Sequence, residues 1–349
     1  RASRPDAAVH FLARDMYLVR QVYQLLYPEE ETFYLKASRQ SLLPALLQCP
    51  MNEQALALLA DTLPRQQLTQ RQIAAYLGFD SPKGHTTKAY VLRTRPLPCR
   101  TKEMLLALAA HSKLPEGEPL RRRAEQARAY LEQAGLTDSP VLLVDIGSGG
   151  TTQLLLERLL GVQLHGLQLS ADERLRSRFD ETRTEVFLFG GQPAPRLYWA
   201  GQPMLERLIS EDVGATLGYR AAEDKIEAVA ASQPVAPLLA GIQQGVRNFA
   251  AVWQDSVLHD WPIPPEQAIA PFLQLVESPT ALQVKLLGDL TVEDGGVYPL
   301  AAPESAAHYL AHPRDVKRDL AEARWKIGFL KRLAPLPLPY GKIYLKLKK

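Results

Sequence analysis

Short apolar runs alternate with amphipathic segments in two parts of the chain. Residues 9–13 and 33–37 are apolar or aromatic runs of strand length, and each is followed by a segment with helical apolar spacing. The pattern returns with predicted strands at residues 141–145 and 164–169, separated by a predicted helix over residues 154–160. Strands that alternate with helices predict an α/β protein with a Rossmann-like, mostly parallel sheet.

The stretch between these two parts is mainly helical in pattern. We therefore divide the chain into a first part of the α/β core (1–50), a helical insertion or cap (51–138), a second part of the core (139–260) and a mixed C-terminal region of loops and helices (261–349). Within the second part, residues 185–189 form a further candidate strand and residues 239–257 a helix. Proline clusters mark loops in the last region.

Composition narrows the class of protein. With 349 residues, 46% of them hydrophobic, the chain can bury a full core, and a net charge of +3 indicates no general affinity for nucleic acid. No apolar run reaches the roughly 20 residues of a membrane helix, and the first residues lack the apolar core of a signal peptide. Cys49 and Cys99 have no metal-ligand spacing. We expect a cytoplasmic protein, and a strand within about ten residues of the start indicates a piece of a longer chain.

A glycine-rich turn follows the apolar run 141–144. Asp145 ends that run, and residues 147–153 read Gly-Ser-Gly-Gly-Thr-Thr-Gln before a predicted helix. Backbone N–H groups and threonine hydroxyls at the start of a helix can bind phosphate. A P-loop is excluded because no Gly-Lys-Thr/Ser follows, and Thr152 occupies the third glycine position of the dinucleotide fingerprint. The phosphate loop of actin-like ATPases needs a second copy, which the sequence lacks.

The same turn leaves two other functions open. It resembles the first motif of S-adenosylmethionine methyltransferases, in which an acid at the end of the next strand holds the ribose of the cofactor. Gln168 stands where that acid is expected, and Asp172 lies beyond the strand. The other alternative is a non-catalytic glycan-binding or scaffold module of a polysaccharide assembly complex.

Several motifs together resemble the glycan phosphoribosyltransferase modules of bacterial polysaccharide synthesis. They are Phe-Leu-Ala-Arg-Asp at 11–15, Tyr-Leu-Lys-Ala-Ser-Arg at 34–39, Val-Asp-Ile-Gly at 144–147, Gly-Thr-Thr-Gln at 150–153 and Gly-Leu-Gln-Leu at 166–169. Residues 214–219, 278–280, 288–290 and 324–328 extend the likeness over nearly the whole chain. Met16 departs from the family where glycine is common, and so does Ser148-Gly149, where an aromatic and a basic or polar residue are common.

The resemblance implies a reaction and its partners. Such a module moves 5-phosphoribosyl from phosphoribosyl pyrophosphate (PRPP) to a sugar hydroxyl of a growing, lipid-linked surface glycan such as O-antigen, and releases pyrophosphate. A phosphatase of the haloacid dehalogenase type then removes the 5-phosphate. Its signature Asp-x-Asp-x-Thr does not occur in this sequence, so the phosphatase is expected as a separate domain or protein.

The reaction also defines candidate site residues. An oxocarbenium-like transition state with a departing pyrophosphate needs cations or Mg²⁺ at the phosphates and a carboxylate near the acceptor hydroxyl. Asp15 and Asp145 are the candidate catalytic acids, with Asp15 also a candidate Mg²⁺ ligand. The donor-binding candidates are Arg14, Arg39, Gly147, Ser148, Gly149, Gly150, Thr151, Thr152 and Gln153, with further contacts expected from Ser38, Gln168 and Lys83.

Two remaining clusters are interpreted more plainly. His308 and His312 are four residues apart, but Pro313 follows and the sequence offers no third ligand, so no zinc site is expected. The basic C-terminal end, with Lys342, Lys346, Lys348 and Lys349, is a candidate for peripheral contact with the inner membrane, where a lipid-linked acceptor resides. Solvent exposure of this end is the simpler alternative.

Overall fold

The computed structural model of the chain describes residues 6–63, 67–77, 87–92, 94–111, 120–138, 140–233, 236–293 and 297–347. The described strands are β1 (Ala8–Leu12), β2 (Thr32–Leu35), β3 (Gln67–Thr69), β4 (Ala89–Val91), β5 (Val141–Ser148), β6 (His165–Ala171), β7 (Thr184–Val186), β8 (Thr216–Ala222), β9 (Lys225–Ala230), β10 (Thr291–Glu293) and β11 (Val297–Pro299). The helices of the first 200 residues begin with α1 (Tyr17–Leu26), α2 (Arg39–Leu47), α3 (Glu53–Thr62), α4 (Gln70–Tyr76), α5 (Cys99–His111), α6 (Leu120–Gln133), α7 (Thr151–Leu160) and α8 (Glu173–Arg178). They are followed by α9 (Arg196–Ile209), α10 (Pro237–Gln254), α11 (Pro265–Glu277), α12 (Ala281–Leu287), α13 (Ala306–Ala311), α14 (Pro313–Glu322), α15 (Lys326–Leu333) and α16 (Tyr340–Leu347).

A five-stranded parallel sheet forms the centre of the fold, in the order β2-β1-β5-β6-β7. This confirms the predicted α/β class. β2 pairs with one side of β1, and β5, β6 and β7 follow in order on its other side. The direction of strand addition therefore reverses between β1 and β5, which are neighbours. Helices that leave such a pair of strands go to opposite faces of the sheet. A crevice therefore opens at the carboxyl ends of β1 and β5, and this is where open α/β sheets bind ligands.

The strands are buried on both faces, which explains their near-continuous apolar sequences. In β1, Val9 and Phe11 pack with Met16, Leu142 and Ile146 on one side of the sheet. His10 points to the other side, where it is fully buried and stacks on Phe33 with ring centroids 4.7 Å apart. Burial lowers the pKa of His10 to about 4, so its ring is neutral inside the core.

The helical segment that precedes β5 shares one hydrophobic core with the sheet. Leu46 of α2, Leu59 of α3 and Leu131 of α6 belong to the same buried cluster as Leu12 and Leu143 of the sheet. The segment also contains a short antiparallel pair, β3 and β4, which the hydrophobic pattern did not reveal because each strand has only three residues. The insertion is therefore packed into the α/β core in its described part.

A buried ion pair joins this helical segment to the glycine turn after β5. The carboxylate of Asp61, at the end of α3, contacts Arg178 of α8 and lies 2.6 Å from Nη2 of Arg95. Nη1 of Arg178 donates in turn to the backbone oxygen of Gly149 and, at 3.1 Å, to Oγ1 of Thr151. One carboxylate thus connects α3, the connector before α5 and the turn.

The C-terminal helices form a second core. It is built around Trp325 and Phe329 and includes Met204 of α9, so it begins well before residue 261. The basic end is the helix α16, whose Tyr340 and Tyr344 are buried in this core, while Lys342 and Lys346 are exposed. Lys348 and Lys349 lie outside the described residues. None of the helices in the described ranges is long and apolar enough to cross a membrane.

Two hairpins complete the molecule, β8–β9 and β10–β11. Tyr219 of β8 stacks on Tyr130 of α6, with ring centroids 4.5 Å apart, and its hydroxyl donates to the backbone oxygen of Lys36 at 3.1 Å. This contact holds the β8–β9 hairpin over the end of β2. Both hairpins therefore reach the edge of the sheet at which the strands end.

The Asp61 ion pair generates a prediction about stability. Asp61→Asn leaves the guanidinium of Arg178 buried without its counter-charge, so we expect the free energy of unfolding in urea to fall by about 3 kcal/mol. The control is Glu53→Gln, which removes an exposed carboxylate paired with Lys102 and should cost less than about 1 kcal/mol. Equal, small losses in the two variants would show that the buried pair does not stabilise the fold.

Candidate functional site

A cleft lies at the carboxyl ends of β1, β2 and β5 and has two lobes. One lobe, of about 390 Å³, is lined by hydroxyl and apolar side chains, among them Ser38, Tyr76, Thr152, Thr216 and Leu217, and is called the hydroxyl lobe below. The other, of about 370 Å³, is called the arginine lobe, and its arginines are Arg14, Arg39, Arg174, Arg207 and Arg324. Both lobes share Arg14, Asp15, Arg39 and Glu293, which therefore form their junction.

Arg14 organises this junction. Its φ of +51° turns the backbone sharply at the end of β1, a conformation that costs a non-glycine residue about 1 kcal/mol. Nε lies 3.1 Å from Oδ1 of Asp15 and Nη1 lies 3.3 Å from Oε2 of Glu293. Burial opposes the charged guanidinium, but the neighbouring carboxylates outweigh it and raise the pKa of Arg14. The backbone oxygen of Arg14 accepts from the N–H of Glu211.

The departure at Met16 has a packing role. Met16 is 2% exposed and packs under the sheet against Phe11 and Ile146. Its φ is −103°, which any residue adopts, because the left-handed turn is made two residues earlier by Arg14. A glycine is therefore not required at position 16 of this chain.

Arg39 is the unpaired cation of the cleft. It is the first residue of α2, is half-buried, and makes no hydrogen bond or ion pair with the residues that the structure describes. Its charge nevertheless acts on the buried Asp145 and the half-buried Glu206, whose pKa values it lowers in part. An unpaired guanidinium at a helix N-terminus, in a cleft, is suited to binding an anion.

The other arginines of the arginine lobe are held in place by partners. Arg174 forms two hydrogen bonds with Oδ2 of Asp172, at 2.7 and 2.9 Å. Arg207 is almost fully buried and pairs with Asp212. Arg324 lies over the ring of Tyr298, 4.3 Å from its centroid. These fixed positions lower the conformational cost of binding a polyanion.

Three acids, Asp15, Asp145 and Glu206, lie within electrostatic reach of the arginines of the cleft. Oδ1 of Asp15 accepts from Oγ of Ser210 at 3.3 Å as well as from Arg14. Burial, followed by the negative charge of Asp15, raises the pKa of Asp145 to about 6 and that of Glu206 to about 8. Acids with such raised pKa values, both acted on by the charge of Asp15, are typical of a functional site.

The two candidate catalytic acids are placed differently. Asp15 lines both lobes, whereas Asp145 is 9% exposed and lines neither of them. The carboxylate of Asp145 accepts from the backbone N–H groups of Ile146 and Gly147, so it closes the turn after β5. Asp15 is the acid that a bound molecule can reach directly.

The glycines of the turn serve close packing. A Cβ on Gly147, where φ is +84°, would lie 2.3 Å from the backbone oxygen of Ser170 on the neighbouring strand β6. A Cβ on Gly150, where φ is +65°, would lie 2.6 Å from the ring of Phe179. Arg178 also donates to the backbone oxygen of Gly149 and to Oγ1 of Thr151, so part of the turn is engaged within the protein, and binding of phosphate by the turn stays a prediction. Only Ser148 and Thr152 of the turn line the cleft.

The remaining candidates are Gln153, Gln168, Ser38 and Lys83. Gln153 is fully buried and hydrogen-bonds the backbone oxygen of Leu164 at 3.1 Å, so it joins α7 to the start of β6 and does not line the cleft. Gln168 is 2% exposed, also outside the cleft lining, and its amide has no partner among the described residues. Ser38 lines the cleft but caps α2 and donates to the backbone oxygen of Thr216. Lys83 lies outside the described residues.

Sequence reasoning missed several residues of the arginine lobe, namely Arg174, Arg207, Arg324, Glu206 and Glu293. They come from α8, α9, the loop after α14 and β10, none of which follows a strand of the parallel sheet directly except α8. One signal was present: Arg324 lies in the segment 324–328 that carries part of the family resemblance. Glu206 gave no such signal, since an acid in an amphipathic helix is ordinarily exposed.

Comparison with known proteins assigns no family. No model of a known protein family matches the chain, and no curated protein is significantly similar to it. The function is therefore argued from the cleft itself.

The raised pKa values of Asp145 and Glu206 predict how the stability of the fold depends on pH. In the folded chain Glu206 and Asp145 keep protons that the unfolded chain releases near the ordinary carboxyl pKa of about 4. Their contribution to stability is therefore complete in acid and is lost as the pH rises through about 6 and about 8. Glu206→Gln lacks the second part of this loss. The difference in unfolding free energy between this variant and the original chain should therefore change in favour of the variant as the pH rises to about 9.

The measurement is urea unfolding across this pH range. Glu266→Gln, a change of an exposed acid in α11, serves as control and should differ from the original chain by a constant amount. If the Glu206→Gln curve stays parallel to that of the original chain, the carboxyl of Glu206 does not titrate as inferred.

Proposed function

We propose that the chain transfers 5-phosphoribosyl from PRPP to a sugar hydroxyl of a bacterial surface glycan. The observation that supports this most strongly is the arginine lobe, in which five arginines surround a cleft at the carboxyl edge of a parallel sheet. PRPP carries a monophosphate and a pyrophosphate, and guanidinium groups bind phosphate oxygens in pairs. The family resemblance of the sequence is consistent with this donor.

The two lobes suggest separate places for donor and acceptor. We place PRPP in the arginine lobe, with its phosphates on Arg39, Arg174 and Arg324. The acceptor sugar then enters the hydroxyl lobe, where Thr216 and Tyr76 line the wall and Leu217 adds apolar surface. Each lobe has a volume within the ordinary range for a small-molecule site, about 300 to 1,000 Å³. The reacting carbon of the ribose would lie at the junction, next to Asp15.

In the proposed reaction one bond breaks and one forms at C1 of the ribose. The bond from C1 to the pyrophosphate oxygen breaks, and pyrophosphate leaves with the electron pair. The acceptor oxygen bonds to C1, and its proton passes to the carboxylate of Asp15, which is the proposed base. Glu206, protonated near neutral pH, donates a hydrogen bond to the departing pyrophosphate, and the arginines stabilise its growing charge.

The carboxyl groups of the cleft also fit a divalent cation. Asp15 lines both lobes, and after burial its negative charge is the next cause of the raised pKa values of Asp145 and Glu206, so the three carboxyl groups lie within electrostatic reach of one another. Mg²⁺ usually binds one or two carboxylates together with substrate phosphates. Asp15 would hold such an ion, with Asp145 behind it, and the ion would neutralise charge on the pyrophosphate.

The two alternatives fit the cleft less well. S-adenosylmethionine carries a sulfonium cation and no phosphate, so a wall of five arginines is unfavourable for it. The position expected to bind its ribose is Gln168, which is buried outside the cleft lining. A non-catalytic module does not require acids with raised pKa values in or beside its cleft, whereas catalytic sites commonly contain them.

The proposal extends to location and partners. We propose that the chain works in the cytoplasm, where it meets a lipid-linked acceptor, and that a separate phosphatase removes the 5-phosphate of the product. Peripheral contact with the inner membrane would involve the exposed lysines of α16, because the buried tyrosines of that helix are committed to the C-terminal core.

Titration calorimetry tests the donor. PRPP with millimolar Mg²⁺ should bind, whereas S-adenosylmethionine should not. Arg39→Gln should weaken PRPP binding by about 10- to 100-fold, since a hydrogen bond to a charged group contributes about 1.5–3 kcal/mol. Arg220→Gln is the matched control, because Arg220 is exposed on β8 and pairs with Glu227. Binding of S-adenosylmethionine alone, or of neither compound, would refute the proposal.

Slow release of pyrophosphate from PRPP, with water as the acceptor, tests the acids. Asp15→Asn should lower the rate by about 100-fold or more and leave PRPP affinity within a few fold. Asp145→Asn should keep the fold and lower the rate less than Asp15→Asn does, since Asp145 lines neither lobe and its carboxylate accepts from backbone N–H groups of the turn. A full rate in Asp15→Asn would remove Asp15 from the proposed mechanism.

A further inference from the structure

The junction between α13 and α14 gathers three side chains that can ligate a transition metal. One donor atom each from His308, His312 and Asp315 lies within 4.8 Å of the others. Among the residues that the structure describes, this is the one group of three possible metal ligands so close together. None of the three lines the cleft. The sequence offered only the two histidines, and the third ligand is supplied by the first turn of α14.

The spacing of two donor atoms already matches a metal site. Nε2 of His308 lies 3.1 Å from Oδ2 of Asp315. Two ligands that are each about 2.0–2.1 Å from a tetrahedral zinc ion are about 3.3 Å apart. Only His312 must move closer, and its exposed ring, stacked on that of His308 with centroids 4.8 Å apart, is free of packing constraints on its outer side.

Outer contacts orient two of the three ligands. Nδ1 of His312 lies 3.3 Å from the backbone oxygen of His308, so a proton on Nδ1 is bonded there and the lone pair remains on Nε2. Oδ1 of Asp315, the oxygen that does not face His308, accepts from Arg318 at 3.0 Å. Metal-binding histidines and carboxylates ordinarily have such second partners, which fix their orientation.

The backbone beneath the cluster is held on both sides. His312 ends α13 and precedes Pro313, the first residue of α14. Tyr309 is buried below, and its hydroxyl lies 3.1 Å from Oδ2 of Asp319 on α14. The ligands of both helices therefore start from positions that are fixed before a metal arrives.

We propose that His308, His312 and Asp315 bind one transition-metal ion of the Zn²⁺ type, with water completing the coordination. Imidazole nitrogens favour Zn²⁺, Co²⁺, Ni²⁺ and Cu²⁺ over Mg²⁺, so this site is chemically distinct from the proposed Mg²⁺ position in the cleft. A bound ion would tie α13 to α14.

The test uses the whole chain after treatment with a chelator. Co²⁺ should bind with one ion per chain and give the visible absorption of a low-coordinate site, and Zn²⁺ should displace it while Mg²⁺ does not. His312→Ala and Asp315→Asn should each weaken Zn²⁺ binding in calorimetry by at least about tenfold. The unfolding midpoint in the absence of metal should change little in His312→Ala, whose ring is exposed.

The control is His259→Ala, an exposed histidine beside Asp260 outside the cluster. It should bind Zn²⁺ as the original chain does. Equal binding in all variants, an equal loss in His259→Ala, or no binding at all would overturn the proposed site. PRPP binding should be unchanged in His312→Ala, so the outcome is independent of the proposed function.

Discussion

The contacts of one arginine connect the parts of the molecule that form the cleft. Arg14 ends the first strand in a left-handed turn, contacts Asp15 beside it and reaches Glu293 on β10, far along the chain. Glu293 in turn accepts from the backbone N–H of Ala215 at the start of the β8–β9 hairpin. The parallel sheet, a hairpin and the C-terminal region thus meet at one guanidinium.

The balance of charge in the cleft follows from that arrangement. Five arginines line the arginine lobe together with three carboxyl groups, those of Asp15, Glu206 and Glu293, and Glu206 holds a proton at neutral pH. The protein has thus collected more positive charge than its own acids neutralise, although burying charge is costly. Such an arrangement is stable when the surplus faces a cavity open to water, and it favours a ligand that brings several negative charges.

The fold was more predictable from the sequence than the cleft. Apolar runs of five or six residues identified the parallel strands, since a strand buried on both faces is largely apolar throughout. The residues that directly follow β1 and β2, Arg14, Asp15 and Arg39, were found because the ends of parallel strands share one edge. Arg174 follows β6 and could have been found by the same argument, whereas Glu206 lies on α9, which tertiary packing brings to the cleft. The glycines of the turn also have a packing role that the sequence did not show, because Gly147 and Gly150 lie too close to β6 and Phe179 for a Cβ atom.

The link from Asp61 through Arg178 to the glycine turn has a consequence for motion. Movement of α3 away from the sheet must break the contacts of Arg178 with Gly149 and Thr151 at the same time as its contact with Asp61. The helical segment and the turn are therefore coupled through the contacts of Arg178. Ser148 and Thr152, which flank these contacts, would lose their place in the cleft whenever those contacts break. The helical segment that contains α3 therefore cannot move as a lid while the turn stays in place.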